Sequence, residues 1–155
     1  MLLDSNGEPR IFNHETTSEH AGKEMTNNEM ITFLVECLTA VFEEQGMKIL
    51  KTNKTLGTEY PNFIMESRNS KLYYVLIDFS IFPSEEGFYS KQDFSEYIKL
   101  AGQFNSLPTK ANVGVYCFNT DGAPAVCGGS FALKFDGLEV LEIKKKGSFL
   151  SKLFK

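Results

Sequence analysis

Asp78 is the polar residue with the most unusual setting in this sequence. It interrupts the run Leu72 to Phe82, in which Tyr73, Val75, Ile77, Phe79 and Ile81 form one apolar face and Leu72, Tyr74, Leu76, Ser80 and Phe82 alternate with them. A carboxylate in such a strand is costly unless it is paired, hydrated or coordinated. Asp78 is therefore the candidate metal or substrate ligand; the structural alternative is a bond to Ser80, to a backbone N–H or to a basic side chain such as Lys91. Other chemistry is thinly supplied. The two histidines, His14 and His20, fall in the polar N-terminal stretch, away from any nucleophile in the core. The three cysteines, Cys37, Cys117 and Cys127, are too widely spaced for a paired zinc site and read as small buried apolar residues. Cys127-Gly128-Gly129-Ser130 lacks the downstream Gly-Lys-Ser/Thr of a phosphate loop, so a bulge or a close backbone approach is expected there. The aromatic residues mostly alternate with aliphatics at strand or helix periodicity, the pattern of core packing rather than base stacking.

The chain has 155 residues, with 42% hydrophobic and 13% aromatic content, which suits one domain with a sizeable core. Its net charge of −4 disfavours a general nucleic-acid coat, because such binding depends on a basic surface. No apolar stretch is long enough to span a membrane and no signal-peptide pattern opens the sequence, so a cytoplasmic location is expected. Charge is uneven: −3 over residues 1–26, −6 over 27–143 and +5 over 144–155. The first segment has few apolar residues and no periodicity, which predicts a mobile N-terminal arm over 1–26. Residues 27–143 are expected to fold as a single α+β domain. Residues 144–155 combine five lysines with Phe149, Leu150, Leu153 and Phe154 at helical spacing, a basic amphipathic tail expected to dock back on the domain.

Within the domain, Thr26-x-x-Glu29 has the spacing of a capping box and opens a helix predicted from Asn27 to Gln45. Its apolar residues cover well over half the circumference, so it must be sandwiched in the fold or packed in a subunit interface. The apolar run Met47–Leu50 follows, then strands over Asn62–Glu66 and Leu72–Phe82. Their short turn sets Asn62 opposite Leu76, with Asp78 one pleat further on. Ser90 and Asp93 open a second helix, predicted to end at Phe104. Val113–Phe118 is a further strand. A turn at residues 120–124 precedes a C-terminal β-hairpin, Val126–Phe135 and Leu138–Ile143, split at Asp136-Gly137.

The stretch Pro61-Asn62-Phe63-Ile64, followed by Lys71-Leu72-Tyr73-Tyr74-Val75-Leu76-Ile77-Asp78 in the order helix, three strands, helix, strand, resembles the core of the restriction-endonuclease-like superfamily. The resemblance covers roughly residues 27–118 and implies a mixed sheet with helices on both faces. Members carry Pro-Asp in the second strand and Glu-x-Lys in the third, where the carboxylates hold the divalent cation that activates water. Here Asn62 stands at the Asp position. Leu76 and Asp78, or Asp78 and Ser80 in the other frame, stand at the Glu and Lys positions. The resemblance thus implies a non-catalytic interaction domain on a nuclease-like fold, with protein as partner and no cofactor. An atypical active nuclease would use Mg²⁺ with Asp78 as metal ligand, Glu66 on the same face by parity, and Lys91 as a displaced lysine. The order of elements in an acidic chain of this size is also similar to type III secretion chaperones. That implies a dimeric protein-binding module, a homodimer whose interface would use the first helix.

Overall fold

The computed structural model describes residues 1–118 and 125–141. The predicted turn at 120–124 and the segment 144–155 lie outside the described residues. The observed architecture is an α+β domain with a mixed six-stranded sheet and two helices. Its elements are β1 (Phe12–Asn13), α1 (Asn27–Glu44), β2 (Lys48–Thr52), β3 (Phe63–Glu66), β4 (Leu72–Ile81), α2 (Lys91–Gln103), β5 (Leu107–Cys117) and β6 (Ser130–Val140). The strand order is β1-β6-β5-β4-β3-β2, and among these pairings only β4 and β5 run parallel.

Both helices begin with a capping box. The Thr26 hydroxyl accepts from the Glu29 N–H at 3.1 Å while the Glu29 carboxylate accepts from the Thr26 N–H at 2.8 Å. That backbone bond holds the Glu29 carboxyl below its ordinary range. Ser90 and Asp93 make the same reciprocal pair at the start of α2.

Strand parity sorts the core into two layers. Val75, Ile77 and Phe79 of β4, with Ala111, Val113 and Val115 of β5, face α1, whereas Tyr74 and Leu76 face Tyr97 and Ala101 of α2. The chain must cross over through α2 to make β5 parallel to β4, which leaves β4 covered on both faces. This is why its residues are apolar at nearly every position. The β3–β4 ladder pairs Phe63 with Val75 and Glu66 with Leu72, the register that the short turn predicts.

Helix α1 is over-apolar because the chain itself covers more than the side facing the sheet. The loop after β2 lies along its polar strip: the Thr32 hydroxyl donates to Lys54 O at 3.0 Å and Lys54 pairs with Glu36 at 3.0 Å. Residues 1–26, expected from the sequence as a mobile arm, cover another side. Leu2 donates to Leu133 O at 2.8 Å, β1 extends the sheet beside β6, and Met25, which is buried, donates to Ala125 O at 2.8 Å. His14 packs edge-on against Phe33, and its Nδ1 accepts from the Gly128 N–H at 2.9 Å. Gly128, at φ +80°, has Thr16 and Ala21 against the place where a side chain would begin. What favours glycine at this position is the left-handed backbone.

The C-terminal hairpin is corrected. Residues 130–140 are one strand paired along its length with β5, and Asp136-Gly137 forms a bulge opposite Asn112, with Gly137 at φ +93°. β5 starts six residues before the predicted Val113. The three cysteines are free thiols; Cys37 and Cys127 are buried and Cys117 is half-buried. Among the described residues, no helix is long and apolar enough to cross a membrane.

Candidate functional site

Asp78 lies near the carboxyl ends of the parallel pair β4 and β5, beside a cleft of about 430 Å³. Ligands favour this position in parallel sheets, because strand ends and following loops leave a crevice there. α2 covers only the part of the sheet nearest Tyr74 and Leu76. Beyond its first turn the floor is made of short side chains, Ser80 and Gly114, walled by Tyr116, Lys134 and Asp136. Phe82, 56% exposed, stacks on Tyr116 at 5.0 Å between ring centroids.

The Asp78 carboxylate is 7% exposed and is occupied on both oxygens. Oδ1 accepts from the Tyr89 N–H at 3.1 Å, and Oδ2 lies 3.9 Å from Lys110 Nζ. A side chain on Gly87 would overlap this carboxylate, so the loop from Pro83 to Ser90 is folded tightly around it. Asp78 thus anchors the loop that delivers the Ser90 cap and starts α2. Lys110 is shared: its Nζ is 3.8 Å from Glu139 Oε1 and 5.0 Å from the centre of the Phe94 ring. Asn112 donates to the same Glu139 oxygen at 3.3 Å. The site is a chain of paired charges across β4, β5 and β6.

Asn62 is fully buried and its carboxamide is used at both ends. Oδ1 accepts from the Ile77 N–H at 2.9 Å, while Nδ2 donates to Asn53 O at 3.0 Å and Thr55 O at 3.3 Å. A carboxylate would turn an acceptor toward two carbonyl oxygens. The amide suits the position because it supplies, without ionising, two N–H donors and an acceptor from one planar group.

The other sequence candidates do not meet Asp78. Glu66 pairs with Leu72, six residues along β4 from Asp78, which at ~3.3 Å per residue is a separation of ~20 Å. No single cation spans that distance. Lys91 is exposed in the first turn of α2, and the basic partner of Asp78 is Lys110 instead. Among the described residues, no three His, Cys, Asp or Glu side chains form a group suited to a metal ion. Lys110, Asn112 and Glu139 escaped the sequence reading. Their signal was the alternation of Lys110, Asn112, Gly114 and Tyr116 with Thr109, Ala111, Val113 and Val115, which becomes visible once the strand is begun at Leu107.

Compared with known families, residues 28–141 match the sequence profile of a domain of unknown function, DUF8840. The chain belongs to this family. Apart from Asn27 at the start of α1, every element from α1 to β6 lies within the match, whereas the N-terminal segment 1–26 that straps α1 and β6 lies before it. No curated protein and no solved structure matches the chain.

Proposed function

We propose that this chain is a non-catalytic protein-interaction domain on a nuclease-like fold. The observation that carries this reading is the use of Asn62 and Asp78. The carboxamide of the first makes three structural bonds and the carboxylate of the second anchors the α2 loop. Where a nuclease would gather two anions around a cation, one is replaced by a neutral clamp and the other is committed to a backbone N–H and a lysine. The nuclease-like part draws its support from the β2–β3–β4 antiparallel run, the α2 crossover to a parallel β5, and helices on opposite faces of the sheet. The dimeric chaperone-like alternative drew on an apolar α1 in need of further cover, which the N-terminal segment and the loop after β2 supply within one chain.

The test is thermal unfolding of the purified chain with and without millimolar Mg²⁺ or Mn²⁺. An ion present at 100 times its dissociation constant would add about 2.7 kcal/mol to stability. The expected result is no change in melting temperature; a rise that disappears in Asp78→Asn would overturn the proposal.

A further inference from the structure

The N-terminal segment meets the turn between Ala125 and Ser130 through one imidazole. His14 Nδ1 accepts from the Gly128 N–H at 2.9 Å, and the His14 backbone N–H donates to Gly129 O at 2.9 Å. Beside them Ser130 Oγ donates to Asn13 Oδ1 at 2.6 Å. Two backbone bonds grip the same turn from further along the segment, from the Gly22 N–H to Cys127 O and from the Cys127 N–H to Lys23 O. Of these contacts, only the one at Nδ1 is made by a group whose charge ordinarily changes near neutral pH. Among the described residues, the imidazole is the one partner of the Gly128 N–H. Gly128 is itself exposed, so water replaces the imidazole as soon as the bond is broken.

A ring nitrogen that accepts a hydrogen bond carries no proton, so the observed contact belongs to the neutral ring. Once protonated, Nδ1 is a donor facing a donor and the bond to Gly128 is lost, while the backbone bonds and the Asn13 contact are untouched. The surroundings offer the charged ring a different partner. From α1, Phe33 packs edge-on at 5.4 Å between ring centroids, and Glu29, one helical turn earlier, is close enough for its carboxyl to respond to a charge on His14. The turn contributes the Cys127 thiol, 3.8 Å from Glu29 Oε2 and kept protonated by burial and by that carboxylate. The N-terminal segment contributes Glu15, next in sequence, and Lys23 near Cys127. β6 places Ser130 and Phe131 there, neither of which titrates. The two carboxylates favour the imidazolium and Lys23 opposes it.

We propose that His14 is a proton-operated latch between the N-terminal segment and the Val126–Gly129 turn. The neutral ring holds the Gly128 N–H; the protonated ring turns toward the Glu29 carboxylate and leaves the turn open. The opening is local, because the β1–β6 pairing, the bond from Leu2 to Leu133 O and the Arg10–Glu44 ion pair keep the rest of the segment in place. The latch does not depend on what the domain binds.

Amide exchange of the full chain, followed by NMR and divided by the intrinsic rate at each pH, tests it. Protection of the Gly128 N–H should fall about tenfold between pH 7.5 and pH 5.0, the scale of one lost hydrogen bond, while that of the Ile77 N–H in the central strand is unchanged. The midpoint of the fall should coincide with the titration of His14 read from its imidazole ¹⁵N shifts. In His14→Asn a neutral carboxamide replaces the ring and the fall should vanish; in His20→Asn it should persist. Unchanged Ile77 protection in each variant would show that the fold is retained. A pH-independent Gly128 rate in wild type, a fall shared by Ile77, a midpoint away from that of His14, or an equal fall in His14→Asn would each overturn the proposal.

Discussion

Replacing Asn62 by Asp changes one side-chain atom group and almost no volume, yet it should be severe. The carboxamide is fully buried, and the substitution removes the donor that serves Asn53 O and Thr55 O while leaving the acceptor for the Ile77 N–H. Two lost bonds at ~1 kcal/mol each, plus the cost of an anion facing two carbonyl oxygens, give ~3–5 kcal/mol of destabilisation. Against a total stability of roughly 5–15 kcal/mol, that is a large fraction. With a urea slope of ~1.5 kcal/mol/M, a 3 kcal/mol loss moves the midpoint down by ~2 M. The sign with pH follows from the same geometry. In the folded state the introduced carboxyl is stabilised in its protonated, donating form, so its pKa is raised above the unfolded value. The penalty is then complete at pH values above the folded pKa, and shrinks as pH falls through that pKa toward the unfolded one. Urea melts of wild type and Asn62→Asp at pH 7 and pH 5 should show a gap that narrows in acid. Equal midpoints at pH 7 would refute the structural account of the amide.

Deleting residues 1–24 should lower the melting temperature markedly, since it exposes Phe33 and Phe131 and removes the β1 pairing; an unchanged melt would show that the segment contributes nothing. Thiol alkylation at pH 8 should modify half-buried Cys117 first. Burial pushes the Cys37 thiol up to about 12, so it stays protonated and unreactive until the chain unfolds, and early labelling of Cys37 in peptide maps would contradict its placement.

What could be read in the sequence was what local chemistry decides. The two Ser/Thr caps with their acidic partners set the helix starts to the residue, because cap and carboxylate are three positions apart whatever surrounds them. β4 was legible as a strand covered on both faces from its own composition. The N-terminal segment was not, because backbone hydrogen bonds to Leu133, Ala125 and Gly129 hold it, and they leave no trace in side-chain pattern. Asp136-Gly137 signalled a backbone needing positive φ, a demand that a hairpin turn and a bulge share; the long pairing with β5 decides between them. The site suffered from the same cause. Asp78 stands out by its own incongruity, but its partner Lys110 sits in a half-polar strand whose pattern is plain only from Val113 onward, six residues after its start at Leu107.

Nucleic-acid cleavage is the most direct test of the claim that Asn62 and Asp78 are structural. The purified chain and its Asp78→Asn variant, which keeps an acceptor for the Tyr89 N–H, are incubated with single- and double-stranded DNA and RNA in Mg²⁺ or Mn²⁺. The account predicts no cleavage by either protein. Metal-dependent cleavage by wild type that is lost in Asp78→Asn, with the melting curve retained, would contradict it.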